Sequence, residues 1–578
     1  MDYKPTAQTV ELTQQTTPSI SEQLPKEDND SSLMQKETQS VENTRKSKQY
    51  PQYPQDQQDE PPLPEKNWKS YILITFLCFL VAFGGFVFGY DTGTISGFVN
   101  MTDFIDRFGQ LDSMDGVKYL SNIRTGLIIS IFNVGCCIGG LIFSKVGDLY
   151  GRRIGLMFSM AIYVVGIIVQ ITAQHQWYQI CIGRAITGLA VGTVSVISPM
   201  FISESAPKKL RGTLVCCFQL CITLGIFIGY CCTYGTKQLN NSAQWRIPLG
   251  LCFLWAIFLI VGMLFMPESP RYLIEKHRLD DAKKSIAKSN KLTVDDKFVL
   301  SEFQLIQAGI DKERLAGTAS WIDLITGRPA ILKRVLTGIA LASLQQLTGN
   351  NYFFYFATTI FKAVGLQDSF QTSMILGAVN FISTFVNIWA IERFGRRLCL
   401  LVGSAGMFVC FIIYSILGSI NLYQDDTFSA SATHLPTGKA MIFVTCLYIF
   451  FFASTWAGGV FAVLSEMYPL RVRSKAISVA LGCNWMWGFL ISFTSSFIIN
   501  SIHFYYGFVF TGCIAVSFVF VYFCIMESKG LTLEEVDEMY AEGVVPWRSG
   551  SWTPPLSKDQ VLRPNYSEFS KPTSEEYA

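Results

Sequence analysis

The 578-residue chain is 50% hydrophobic and only 16% charged, with a formal net charge of +2. A soluble protein carries about a quarter charged residues, so an ordinary water-soluble domain is excluded. A charge this near zero, with basic residues only in short clusters, gives no footprint for nucleic acid. The 16 cysteines fall between Cys78 and Cys524, mostly inside apolar runs, and read as small buried hydrophobes rather than a disulfide framework.

Residues 1 to about 66 are rich in Gln, Ser, Thr, Pro, Glu and Lys and lack Cys and Trp. Such a segment cannot bury a core and is expected to be a disordered tail. Its Ser, Thr and Lys are candidates for phosphate or ubiquitin, with ubiquitin and trafficking machinery as partners. From Tyr71 the chain turns into apolar runs of the length that spans a hydrocarbon core of roughly 30 Å. The first run begins too late for a cleavable leader and is expected to insert and stay.

About twelve spanning segments are expected, near 71–98, 121–146, 154–174, 178–203, 213–234, 247–266, 335–362, 370–391, 398–420, 440–463, 475–499 and 505–526. A polar stretch with the pattern of amphipathic helices, Leu273 to Lys333, divides them six and six. The fold class is therefore an all-α membrane protein: two pseudo-symmetric six-helix bundles, 68–272 and 334–527, joined by a cytoplasmic helical linker, 273–333. A tail, 1–67, precedes them and a polar tail, 528–578, follows. Lys and Arg cluster after segments two, four, eight and ten (Arg152, Arg153; Lys208, Lys209, Arg211; Arg393, Arg396, Arg397; Arg471, Arg473, Lys475), which places both termini in the cytoplasm. Sequons at Asn100 and Asn240 then face outward as glycosylation candidates, while those at Asn29 and Asn565 face inward and stay silent.

The chain repeats itself. Asp148 precedes Gly151-Arg152-Arg153 after segment two, and Glu392 precedes Gly395-Arg396-Arg397 after segment eight. Glu204, Pro207 and Arg211 follow segment four, and Glu466, Pro469 and Arg471 follow segment ten. Two halves of like design with a site between them is the plan of a two-bundle transporter. The arginines of the tight turns are expected to face Glu204 and Glu466, latching the inner helix ends in one state and releasing them in the other. They also serve as topology signals.

Further motifs are Gly89-Tyr90-Asp91-Thr92-Gly93, Pro199-Met200-Phe201, Pro267-Glu268-Ser269-Pro270-Arg271, Gln345-Gln346-Leu347-Thr348-Gly349-Asn350-Asn351 and Lys529-Gly530-Leu531-Thr532-Leu533-Glu534-Glu535. With the Gly-Arg-Arg turns, and in this order over about residues 68–548, they resemble the sugar porter family of the major facilitator superfamily, most closely its yeast hexose-transporter branch. The resemblance implies alternating-access transport of a hexose, glucose first, across the plasma membrane, with a monosaccharide and the bilayer as partners. It also implies that Gln219, Gln345, Gln346, Asn351, Asn380 and the Tyr355 region contact the sugar.

The residues point the same way on their own chemistry. Deep apolar segments here carry amides rather than charges, and an amide can pair with either role of a sugar hydroxyl. Amides also join helix to helix, which is the reading for any isolated one. Phe353, Phe354, Tyr355 and Phe356 follow at once and can close over an apolar sugar face. Gly349 interrupts segment seven before these aromatics and is expected to let its outer part tilt as a gate. Asp91, a carboxylate within segment one, is a functional candidate with Arg184 in segment four as charge partner. It invites proton coupling, but the branch resembled here implies facilitated diffusion, with Asp91 structural or gating. Segment ten departs from the family pattern: Trp456-Ala457-Gly458-Gly459-Val460-Phe461 lacks the usual Pro, and Phe461 stands where the sugar-contacting Trp is common. Phe452 marks a position that varies among hexose and galactose carriers, Phe356 replaces a frequent Tyr, and Met526 replaces a Pro.

No phosphate-binding loop and no metal-ligand spacing occurs, with only four histidines. An enzyme, a cofactor and a metal are not expected. The alternatives are a sugar sensor on the same fold, against which the short C-terminal extension counts, and a proton-coupled symporter.

Overall fold

In a computed structural model the chain is described at residues 71–111, 118–206, 211–315, 317, 320–327, 330–355, 369–421, 435–531 and 533–553. The N-terminal tail, the sequons at Asn29 and Asn565, Pro207, Lys208, Lys209 and Phe356 lie outside these residues.

Eleven helices among the described residues are long and apolar enough to cross a membrane. The first half holds Tyr71–Phe98, Asn122–Ile138 continued to Tyr150, Arg152–Ile171, Trp177–Ser205, Arg211–Thr236 and Ala243–Phe265. The second half holds Ser369–Phe394, Arg396–Asn421, Leu435–Phe451 continued to Met467, Leu470–Ile502 and Tyr506–Cys524. The seventh of the twelve expected spans is the exception in length. It runs from Ile331 to Leu347, stops at Thr348 and Gly349, and resumes at Asn350. Gly349 has φ +90°, and a Cβ there would fall 2.9 Å from both Phe411 and Phe510, so glycine is required on both counts. Irregular backbone at membrane depth is tolerated only where protein or a polar cavity replaces water.

Two spans carry a single π-helical turn, Gly139–Phe143 in the second and Phe452–Trp456 in the tenth. Neither was legible in the sequence. Such turns release backbone groups from the regular ladder and concentrate at functional sites.

Pairing follows a two-fold repeat. The first helix packs on the fifth as the seventh packs on the eleventh, the second on the fourth as the eighth on the tenth, and the third on the sixth as the ninth on the twelfth. Small residues allow the close approach that helices in lipid rely on: a Cβ on Gly89 would sit 1.9 Å from the Ile222 carbonyl oxygen. The halves meet along the second and eleventh helices and along the fifth and eighth. Ties across this seam include Cys137 Sγ to the Gly482 carbonyl at 3.7 Å, the Phe88 ring against Trp485 at 5.5 Å, Thr384 Oγ1 to Thr223 Oγ1 at 3.3 Å and Tyr230 OH to the Phe354 carbonyl at 2.7 Å. They lie at mid-depth and in the half remote from the Gly-Arg-Arg turns, so the state shown is closed on that remote side.

The polar stretch between the halves folds as the short helices Pro270–Glu275, Leu279–Asn290, Lys297–Leu315 and Asp323–Thr326. It has its own small core of Leu273, Ile286, Val299, Phe303 and Ile310. Arg471 pairs with Asp323 of this stretch at 2.8 Å. A backbone N–H from Ser320, followed by the Arg471 guanidinium, holds the half-buried Asp323 carboxyl below the usual range.

The expected C-terminal tail is structured through residue 553. Helix Leu533–Ala541 buries Val536 and Met539. They sit against Val463, Met467 and Met526. Arg334, at the start of the seventh span, is 0% exposed. Its guanidinium pairs with Asp537, donates to the Met467 carbonyl at 3.3 Å and stacks 4.0 Å above the Tyr540 ring. The C-terminal helix thereby clamps the end of the seventh span to the end of the tenth. Breaking a buried pair by removing one partner costs about 3–5 kcal/mol when both groups are dry. Asp537 keeps a third of its side-chain surface, so Arg334→Ala should cost about 2 kcal/mol. Thermal unfolding of the detergent-purified protein checks this: a clear drop in Tm is expected, and an unchanged Tm removes the clamp.

Candidate functional site

At mid-depth the side-chain amides form a relay. Asn484 of the eleventh helix donates to the Ala342 carbonyl and to Gln345 Oε1, each at 2.9 Å, and accepts from Gln346 Nε2 at 2.9 Å. Gln346 Oε1 accepts from Asn351 Nδ2 at 2.7 Å. Gln345 Nε2 donates to the Trp456 carbonyl at 3.0 Å, a group within the π turn of the tenth span. Both ends of the Gln345 amide, expected at the sugar, are thus engaged by the protein, and it ties the seventh helix to the tenth. The loose end of the relay is Asn351. A Cβ on Gly488 would stand 3.5 Å from Asn351 Nδ2 and 3.6 Å from Asn133 Nδ2 of the second helix, so amides from both halves flank the same point of the eleventh helix. Asn133 Nδ2 and Asn350 Oδ1 are buried without a hydrogen-bond partner. Buried polar atoms are almost always satisfied, so unpaired amide atoms beside the seam are what a polar ligand or water would engage.

Sequence reasoning missed Asn133 and Asn484. Each is a single amide in an apolar run, and nothing in local spacing separates it from a helix-to-helix tie.

Gln219 is half-buried one turn before Thr223, and Asn380 is buried one turn before Thr384. The Thr223–Thr384 contact brings these two helices together from opposite halves. Tyr355 is buried, as are Phe353 and Phe354. Phe452 stacks on Tyr448 at 6.4 Å and meets Phe354 edge-on at 6.5 Å. Tyr448 OH donates to the Thr348 carbonyl at 3.0 Å, which pins the break in the seventh span. Phe461, by contrast, is 43% exposed and has no place in the relay. Trp456 is fully buried and turns its Nε1 to the Leu400 carbonyl and Ser404 Oγ of the ninth helix, at 3.0 and 3.1 Å.

The missing Pro of the tenth span has a structural counterpart. The π turn frees carbonyls there, and Asn387 Nδ2 bonds that of Thr455 at 3.3 Å. Gly458 makes room for this amide, since a Cβ there would lie 2.2 Å from Asn387 Oδ1.

Asp91 and Arg184 form a fully buried ion pair in the first half. Tyr163 OH donates to Asp91 at 3.5 Å, and the guanidinium stacks 4.6 Å above Phe132 and donates to the Ile128 carbonyl at 3.3 Å. The pair ties the first, second, third and fourth helices together.

The Arg–Glu grip at the turns repeats atom for atom in the two halves. Arg152 grips Glu204 through Nε and Nη2, each at 3.0 Å, and Arg396 grips Glu466 through the same atoms at 3.0 and 2.7 Å. Such bidentate geometry is the strong form of the pair. Glu268 accepts the backbone N–H groups of Arg152, Arg153 and Ser269, and Glu527 those of Arg396, Arg397 and Lys529. Ser269 and Ser528 each donate to the matching glutamate, Glu204 and Glu466. Burial raises the Glu268 carboxyl above its ordinary value more than the backbone bonds lower it. Gly151 (φ +108°) and Gly395 (φ +92°) are required twice, because a Cβ would fall 2.3 Å from Glu268 and 2.6 Å from Glu527. Glu527 and Ser528 were not singled out in the sequence, although Glu-Ser follows the sixth and twelfth segments alike. Asp148 pairs with Arg152 at 3.2 Å. Arg153 reaches the Met266 carbonyl, and Arg271 pairs with Glu275 at 3.3 Å rather than joining the network. Glu392 is exposed and forms no ion pair among the described residues. Arg211 is the first residue of the fifth helix. Each Arg–Glu pair closes within its own half, so in this state it stiffens a bundle end rather than bridging the two bundles. Asn240 is exposed, whereas Asn100 is half-buried with its amide donated to the Ser96 carbonyl at 3.4 Å.

Two helical halves, a polar relay at their seam and one broken span define a two-bundle membrane carrier. Residues 77–540 match the sugar (and other) transporter family, and the chain belongs to that family. A low-affinity glucose transporter of Kluyveromyces lactis is 56% identical over 492 residues, covering 85% of this chain and 87% of the relative. The hexose transporter HXT9 of Saccharomyces cerevisiae is 54% identical over 516 residues, covering 88% and 91%. The high-affinity hexose transporter HXT6 of the same yeast is 56% identical over 496 residues, covering 85% and 86%. Among solved structures, the inward-open xylose transporter XylE of E. coli superposes with TM-score 0.64 at 22% identity, covering 81% of this chain and 99% of that one. The chain is a carrier and not an enzyme.

Asn484→Leu would remove the partner of Gln345 Oε1 and of Gln346 Nε2, and so loosen the Gln346 amide that holds Asn351. Losing one such hydrogen bond at a site costs about 1.4 kcal/mol, or roughly tenfold in affinity. At equal surface expression, uptake kinetics should show KM raised about tenfold; an unchanged KM would detach the relay from the site.

Proposed function

We propose that the protein carries a hexose, glucose first, across the plasma membrane by facilitated diffusion through alternating access. The observation that carries this reading is the relay ending at Asn351 together with two buried amide atoms that lack a hydrogen-bond partner, Asn133 Nδ2 and Asn350 Oδ1, which a hydroxylated, uncharged ligand can engage. The relatives named as glucose and hexose transporters support the substrate class.

In this reading Asn351, Asn133, Gln346, Asn380 and Gln219 hold the sugar, with Phe354, Tyr355 and Phe452 against its apolar face. Gln345 positions the relay. The break at Gly349 lets the outer part of the seventh span close over the ligand, and the π turn gives the tenth span its own bending point. Asp91, satisfied by Arg184 and Tyr163, acts as a fixed structural charge, which favours diffusion over proton coupling. The basic turn ends support cytoplasmic termini, with Asn240 outside as the better-exposed glycosylation candidate. The organisation is then tail 1–67, bundle 68–272, linker 273–333, bundle 334–527 and a C-terminal segment 528–578, with trafficking or ubiquitin machinery acting on the tails.

Zero-trans uptake of labelled glucose in cells lacking other hexose carriers tests this, with galactose, fructose and xylose as competitors. Saturable uptake that ignores an uncoupler is expected. Uptake abolished by the uncoupler would indicate a symporter, and none despite surface delivery would indicate a sensor. Replacing Arg152 and Arg153 together by Ala should slow turnover more than it weakens binding, because the turn network holds a bundle end rather than the sugar. An unchanged turnover rate would reduce these arginines to topology signals.

A further inference from the structure

A cavity of about 330 Å3 lies between the third helix's Gly-Arg-Arg end and the linker helix Leu279–Asn290. Its lining includes four cations, Arg153, Arg278, Lys284 and Lys288, against two carboxylates, Glu268 and Asp281. Glu268 is engaged by three backbone N–H groups. Asp281 is shared between Arg278 at 2.8 Å and Lys284 at 3.7 Å. Among the described residues the Arg153 guanidinium donates to the Met266 carbonyl and has no carboxylate partner, and neither has Lys288. Two cations without counter-ions thus face one cavity from two different elements. Like charges gathered around a recess are unfavourable unless an anion joins them.

The cavity also has a fixed depth. It adjoins the ends of the second, third and sixth spans: Tyr150, which ends the second and lines the cavity, is 64% exposed, and Phe265, which ends the sixth, is 71% exposed. Exposed aromatics at span ends mark the level of lipid headgroups, and basic pockets at that level suit anionic headgroups.

The geometry points to a binding site for a phosphate ester, seated between Arg153 and Lys288 with Arg278 and Lys284 at the rim. Its depth favours an anionic lipid headgroup as the source over a soluble phosphate compound. The ligand would tie the linker to the Gly-Arg-Arg turn of the first half.

The test uses the full-length protein in detergent, titrated with dioctanoyl phosphatidylinositol 4-phosphate, dioctanoyl phosphatidylcholine, inositol 1,4-bisphosphate and inorganic phosphate. The inositol lipid should bind and the choline lipid should not. Replacing Lys284 and Lys288 together by Gln, both on an exposed helix face, should weaken binding at least tenfold, and Arg153→Gln should do so independently. Affinity unchanged in both variants would overturn the site. Inositol bisphosphate or phosphate binding as tightly as the lipid would overturn the membrane source.

Discussion

Hydrocarbon offers no partner to a polar backbone group, and this constraint organises the molecule. Regular helix is the default for each span, so every departure from it needs a substitute partner close by. The break at Gly349 has Tyr448 bonding the Thr348 carbonyl. The π turn of the tenth span has Gln345 and Asn387 bonding its carbonyls. The amides that look like ligand groups in the sequence are in part the means by which bent helices remain satisfied. The same side chains hold the bends and, through Asn484 and Gln346, orient the Asn351 amide.

This double duty explains what was legible and what was not. Twelve spans, two halves and a helical linker followed from run length and charge placement, because those depend on composition alone. The pairs of Arg152 with Glu204 and of Arg396 with Glu466 followed from repetition within the chain. Asn133 and Asn484 did not, since one amide in an apolar run carries no periodic signal. The π turns were hidden because Gly139–Phe143 and Phe452–Trp456 look like ordinary helix residue by residue; the extra residue shows only in the hydrogen-bond ladder. The C-terminal helix read as a tail because nine mixed residues are too short for a pattern. Its stability comes from a buried arginine far away in sequence.

The turn networks show how a repeat preserves geometry while sequence drifts. Pro267 precedes one Glu-Ser pair and Met526 the other, yet both glutamates collect the same three kinds of backbone donor. The glycine, the arginine and the glutamate are fixed by atoms that would collide or go unpaired. The residue before them is not, which is why the change at Met526 leaves the arrangement whole.

The clamp at Arg334 has a consequence in time. Its counter-ion Asp537 lies 203 residues further along the chain. During synthesis the seventh span must therefore enter the bilayer with a cation at its end that has no mate until nearly the whole second half exists. Arg334 can wait at the headgroup level while unpaired and settle into the protein only when the last helix arrives. Completion of the chain, rather than insertion of any one span, is what seals this end of the second bundle.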